Sequence, residues 1–273
     1  MEKSLIIRHD ELQLTATLHY PKVTTQEDNS KYPAIIVCHG FIGSRIGVDR
    51  LFVKAARALA ATGAYVIRFD YGGCGESSGD YGALGFEEMI HQTRTVIDYM
   101  HDIENVDWDK ITLLGHSLGA AVAIMTGVRD RRVNRLVLWS PVGYPFNDIV
   151  NIVGRHSYDE AVKSGQTDYM GYRLQPAFFE SLMQHQPFQA AVKFTGDVLL
   201  VHGTSDEDIP VDYSFLYQKV FWSRSQGICD KQIIFQANHT YSSQAYQSEA
   251  IEYTKAWLVQ LDAKEQLWFD WSI

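Results

Sequence analysis

The sequence predicts an α/β fold built on a mostly parallel sheet, and three observations carry that prediction. Apolar runs of strand length recur along the chain, and stretches of helical period separate them. Most of the runs are continuous rather than alternating, the pattern of strands covered on both faces.

In chain order the runs are "SLIIRH", "LTATLHY", "AIIVCHG", "YVIRFD", "ITLLGHS", "LVLWSP", "VLLVHG" and "QIIFQA". The first two alternate and lie close together, as an antiparallel pair at a sheet edge would. Four helices are expected between and after the others. "RLFVKAARALAATG" (50–63) gathers Leu51, Phe52, Ala55, Ala56 and Leu59 on one side and stops at Gly63. "FEEMIHQTRTVIDYM" (86–100) repeats the pattern, and "SLGAAVAIMTGV" (117–128) has the small residues of a helix packed tightly on a sheet. "SSQAYQSEAIEYTKAWLVQL" (242–261) supplies the last. The interval at 142–197 is too long for one crossover helix and is rich in aromatics. It is read as a lid inserted after the sixth strand of a single domain spanning 1–273, because so short a segment buries too little surface to stand alone.

Composition narrows the function. The formal net charge of −9 speaks against nucleic acid and anionic membranes as partners. The basic stretch "VRDRRVNR" (128–135) is balanced by Asp130 and reads as a solvated helix end. Cys38, Cys74 and Cys229 are too few and too scattered for a disulfide framework or a zinc site, so no metal is expected. The N-terminus lacks a long apolar leader, and no window has the ~18 apolar residues of a membrane span, so the expected location is cytoplasmic. The aromatic "LWFDWSI" at the C-terminus is expected to pack back on the domain, a homodimer contact being the alternative.

The chemistry is concentrated in "LLGHSLGAA" (113–121). Gly115-His116-Ser117-Leu118-Gly119 is a G-x-S-x-G sequence between an expected strand and an expected helix, the setting of a nucleophile elbow. Ser117 must sit on a sharp, strained turn to project its hydroxyl above the sheet. The glycines leave room for the neighbouring backbone, and the helix N-terminus favours a developing oxyanion. A serine hydroxyl needs an oriented base. With this elbow the chain order is Ser, acid, His, and only His239 follows the acidic stretch "HGTSDEDIPVD" (202–212). Two backbone N–H groups should hold the oxyanion: that of Leu118, and that of Phe41 in the loop "HGFIGS" after the third run. His39 is expected to hold that loop, and His116 and His202 to pack beside the site. "GGCGESSG" (72–79) lacks the Lys-Ser/Thr ending of a phosphate loop and reads as a turn in which Asp70 and Ser77 bond backbone.

"HGF", "RFDYGGCGES", "GHSLG", "HGTSDEDIP" and "NHTYSS" arrive in the order and spacing of the α/β-hydrolase superfamily, which this chain resembles over essentially its whole length. Within it the chain is similar to bacterial cinnamoyl/feruloyl-esterase-like carboxylesterases, and also to the monoacylglycerol lipase and serine aminopeptidase group. The resemblance implies an eight-stranded sheet and cofactor-free hydrolysis of a small-molecule ester through an acyl-enzyme. It also implies Asp206 as the acid, from the spacing H-G-x-x-D-x-x-[V/I]-P. Asp208 is the competing candidate, otherwise expected to cap the next helix. Leu118 stands where those esterases usually carry Gln, and "GSRIGVDR" departs from their usual continuation after "HGF", which bears on acyl specificity. The rival functions are a peptidase or amidase, which needs an acidic anchor such as Asp148 or Glu180 for a free amine, and a non-catalytic receptor on the same fold.

Overall fold

The computed structural model describes residues 1–22 and 30–270, with side chains to 264; the side chains of "LWFDWSI" lie outside the described residues. The sheet strands are β1 (Glu2–His9), β2 (Leu12–His19), β3 (Tyr32–Cys38), β4 (Tyr65–Phe69), β5 (Val106–His116) and β6 (Val133–Trp139), followed by β9 (Asp197–Gly203) and β10 (Cys229–Ile234). They form one eight-stranded sheet in the order β1-β2-β4-β3-β5-β6-β9-β10. β1 pairs antiparallel with β2 and β2 antiparallel with β4, while every other pairing is parallel. The expected fold class is therefore present. Five of the six parallel strands carry the continuous apolar runs, since a strand with helices over both faces has no polar side to show, whereas β10 (CDKQII) meets the run "QIIFQA" only at 232–234.

Helices cover both faces. On one lie α1 (Leu51–Ala60) and the final helix α9 (Gln244–Asp270), which bury Leu51, Ala55, Leu59, Trp257 and Leu261 against Ile35, Val37, Leu114 and Val201. On the other lie α2 (Phe86–His101), α3 (Leu118–Arg129) and α8 (Asp212–Trp222), whose Met89, Ile97, Val122 and Tyr217 join a core with Ile36, Leu113 and Leu138.

Between β6 and β9 run α4 (Pro145–Val153), α5 (Arg155–Ser164), the short hairpin of β7 (Thr167–Tyr169) and β8 (Tyr172–Leu174), α6 (Pro176–Met183) and α7 (Pro187–Ala191). Proline begins α4, α6 and α7, where its missing N–H costs the helix no bond. Contacts tie this segment to α2. The Phe86 N–H donates to Ser181 Oγ at 2.8 Å, and His185 and Arg129 both bond Glu87.

Two local expectations are corrected. Arg135 of the basic stretch is buried and pairs with Asp262 at 2.8 Å, because β6 carries it under α9. Its neighbour Arg132 is half-buried and pairs with exposed Asp98 and with Asp130, whose carboxylate is itself buried. Asp208 caps no helix: α8 begins at Asp212 with Val211 as its N-cap and no side-chain cap, since Pro210 falls in the turn before the helix. Among the described residues no helix is long and apolar enough to cross a membrane.

Candidate active site

Ser117 is held by the turn that joins β5 to α3. Its backbone sits at φ 57°, ψ −124°, a conformation L-residues rarely adopt and one that costs on the order of 1–3 kcal/mol. Close packing enforces it. A Cβ on Gly115 would lie 2.4 Å from the Gly119 carbonyl, and one on Gly119 would lie 2.2 Å from that of Cys38. On the strand side the Ser117 N–H donates to the Trp139 carbonyl at 2.9 Å, so the elbow is tied to the C-terminal end of β6. The loop after β3 passes against it: a Cβ on Gly40 would stand 2.9 Å from Ser117 Cβ.

His239, in the turn between β10 and α9, donates its Nδ1–H to Asp206 Oδ2 at 2.8 Å, which leaves Nε2 with its lone pair. Asp206 follows β9, and its carboxylate is wholly shielded from solvent. Oδ2 also accepts from His202 Nε2 at 3.0 Å, and Oδ1 accepts the N–H groups of Asp208 at 3.1 Å and Ile209 at 2.8 Å. Burial alone would favour the neutral acid. The His202 and His239 hydrogen bonds and the charge of the imidazoles outweigh it and hold the carboxyl well below the usual range. His202 Nε2 faces two acceptors, Asp206 Oδ2 and the Ile209 carbonyl, so it carries the proton, and Nδ1 accepts from Ser214 at 2.7 Å.

His116 donates Nε2–H to the His239 carbonyl at 2.8 Å, its ring 4.8 Å from that of His239. Burial, with the charge of His239 beside it, pushes the His116 imidazole down to about 3. It therefore stays neutral and fixes the His239 backbone. His39 bonds the Gly40 carbonyl through Nδ1 at 2.8 Å and accepts the Tyr71 N–H on Nε2 at 3.0 Å, holding its loop as expected.

Ser117 and His239 line one cleft of about 430 Å³, with Phe41, Ile42, Val48, Phe52, His116 and Tyr172 among its walls. The Ser117 hydroxyl makes no hydrogen bond among the described residues, so serine and imidazole share the cleft without a hydrogen bond between them. The Phe41 and Leu118 N–H groups are likewise free of partners among the described residues, and Phe41 is placed by its ring, which packs 5.8 Å from those of Tyr169 and Phe178. Tyr172 is the sole cleft-lining contribution of the 142–197 segment. Asp148, buried and bonded to the N–H groups of Gly143 and Tyr144 and to the Tyr213 hydroxyl, and the exposed Glu180 lie off the cleft.

Asp206, Asp208 and His239 are the one set of metal-capable groups among the described residues, with ligand atoms within 4.8 Å of one another. Two of them spend those atoms on each other. Sequence reasoning missed that His202 bonds Asp206 directly, although the i, i+4 spacing within "HGTSD" could have shown it. It also missed Arg45, which pairs with buried Asp70 where the sequence had Asp70 bonding only backbone.

This sheet order, with a serine on a strained strand-to-helix turn and an Asp–His pair beyond later strands, is that of the α/β-hydrolase fold, and the comparisons support a place in that superfamily. A family model described as "Serine aminopeptidase, S33" matches residues 30–164, just under half of the chain and short of both Asp206 and His239. Lysophosphatidylserine lipase ABHD12 from Xenopus tropicalis is 34% identical over 196 residues, 67% of this chain and 45% of that protein. An uncharacterised 31.7 kDa protein of Escherichia coli is 37% identical over 111 residues, 41% of this chain and 38% of that one. The alignments thus span less than half the length of these curated relatives. Among solved structures, Est1E from Butyrivibrio proteoclasticus with ferulic acid bound superposes with a TM-score of 0.80 at 22% identity, covering 95% of this chain and 99% of that one.

Proposed function

We propose that the chain is a serine carboxylesterase acting on small or aromatic esters. The observation that carries this reading is the Ser117 hydroxyl on a strained turn, in one cleft with an imidazole whose other nitrogen is engaged by a buried carboxylate. In the proposed cycle, a bound ester draws Ser117 and His239 together, a contact that apo sites often leave loose. His239 Nε2 takes the serine proton as Oγ attacks the carbonyl, and Asp206 keeps the proton-bearing Nδ1 turned away from the serine. The Phe41 and Leu118 N–H groups receive the oxyanion. The imidazolium then protonates the departing alcohol, and the same imidazole activates water against the acyl-enzyme.

The cleft volume lies in the range of small-ligand sites, and among the described residues its walls carry no acidic or basic side chain other than histidine. That supports an uncharged acyl or alcohol group and gives the peptidase reading no anchor for a free amine. The 142–197 segment serves as the lid, with Tyr172 as its contact to substrate. The test compares p-nitrophenyl acetate and butyrate with an aminoacyl-p-nitroanilide. The expected result is ester turnover by the intact chain, a fall of at least ~10³-fold in Ser117→Ala, and little release of nitroaniline. Ester turnover that survives Ser117→Ala would sink the proposal.

A further inference from the structure

The loop carrying the Phe41 N–H is tied to the loop after β4 at two points. His39 and Tyr71 make the first; Arg45 makes the second, and more strongly. The Arg45 backbone N–H donates to Asp70 Oδ1 at 2.5 Å, and its guanidinium bonds both Asp70 Oδ2 and Glu76 Oε2. Its own carbonyl accepts from the Arg68 guanidinium at 2.7 Å. Asp70 is fully buried, and its Oδ2 takes a further N–H from Glu76 at 3.0 Å. Gly75 closes over the carboxylate at φ 54°, where a Cβ would lie 2.3 Å from Oδ2, and Gly75 is itself a wall of the cleft.

The loop itself is built of two turns, the first between the anchors and the second around Arg45. One turn is closed by Gly43 N–H to the Gly40 carbonyl at 3.1 Å, with Ile42 at φ 46°. A second is closed by Gly47 N–H to the Ser44 carbonyl at 3.1 Å. A two-turn segment without a sheet ladder holds one shape only if its far end is fixed. The Phe52 N–H holds that end to α1 through the Ile46 carbonyl at 3.2 Å, and Arg45 fixes it to the loop after β4 through a forked pairing that a lysine matches in charge but not in geometry.

We propose that Arg45 is a positioning residue for catalysis, its brace to Asp70 fixing the 40–47 loop so that the Phe41 N–H is preorganised for the oxyanion that forms at Ser117. The inference rests on the esterase reading above. An oxyanion donor acts only once charge develops, so loosening it lowers kcat and leaves substrate binding nearly untouched. The experiment measures kcat and KM for p-nitrophenyl butyrate, and inhibition by a trifluoromethyl ketone that binds serine as a tetrahedral oxyanion. Wild type, Arg45→Met and Arg45→Lys are compared well below each protein's Tm.

The expected result is kcat down ~10²-fold in Arg45→Met with KM within threefold, the ketone weakened in parallel, and partial recovery in Arg45→Lys. A role in stability alone would lower Tm without that split between kcat and KM. If Arg45→Met does not fold, Arg45→Lys decides: a ~10-fold loss of kcat with weakened ketone binding supports the brace, and unchanged kcat overturns it. An active wild type with an equally active Arg45→Met overturns the brace alone. An inactive wild type overturns the esterase reading with it.

Discussion

Asp206 accepts four hydrogen bonds, two backbone N–H groups on one oxygen and two imidazoles on the other. No amide can replace it, because an asparagine turns its NH₂ toward one of those donor pairs. In Asp206→Asn either the loop is disturbed or His239 loses its acceptor and turns to the wrong tautomer, so kcat should fall by ~10⁴-fold. Asp208 contributes only its N–H to this arrangement, and its exposed carboxylate bonds nothing among the described residues. Asp208→Asn should therefore keep the Tm within 2 °C and kcat within a few fold. A crippled Asp208→Asn beside an active Asp206→Asn would reassign the acid. The candidate residues were legible because G-x-S-x-G, H-G-x-x-D and a final histidine are local patterns. Arg45 was not, because its partner Asp70 lies twenty-five residues away on another strand end and no local rule joins them.

At the scale of elements, the junction of β5, β3 and α3 decides how high Ser117 stands. Gly119 touches the carbonyls of Cys38 and His39, at 2.2 and 2.4 Å from an added Cβ, and backbone atoms cannot move aside by changing rotamer. Gly119→Ala must push α3 off β3, costing ~1–3 kcal/mol or more in urea unfolding and lowering kcat by more than the lost folded fraction explains. An unchanged urea midpoint would refute that packing. Elements were legible where one face is uniformly apolar, as in β3, β5 and α1. They were not where burial is divided. α8 buries Tyr217 and Phe221 yet exposes Phe215, Leu216 and Trp222, so its apolar residues mark no single face. β10 runs from Cys229 to Ile234, earlier than "QIIFQA" implies, because the chain turns at Gln236, φ 61°, and leaves Phe235 exposed.

The molecule as a whole carries buried imidazoles that its unfolded chain does not, and this sets its response to acid. The apolar runs told which segments form the sheet but not their order, and the order is what pairs β2 with β4 and encloses His19 beside Arg68. His19 accepts from Arg68 Nε at 2.9 Å, and burial, with the nearby Arg68 charge, pushes it down to about 4. His116 is pushed down to about 3 by burial and the charge of His239. Unfolded, both titrate near 6.5. Between roughly pH 6.5 and 4 the unfolded chain thus binds protons that the native state refuses, so stability rises with pH across that window. The contribution of these two histidines is complete above about pH 6.5 and is lost as the pH falls toward their folded values. Each group adds at most about 1.4 kcal/mol per pH unit, and for a chain of this size the Tm at pH 5 should lie about 5–10 °C below that at pH 7. Asp206, held low, adds a further loss only below about pH 4. In His19→Gln the amide oxygen can still accept from Arg68 but takes no proton. That variant should lose measurably less Tm between pH 7 and 5 than wild type, and an identical slope for the two would remove His19 from the account.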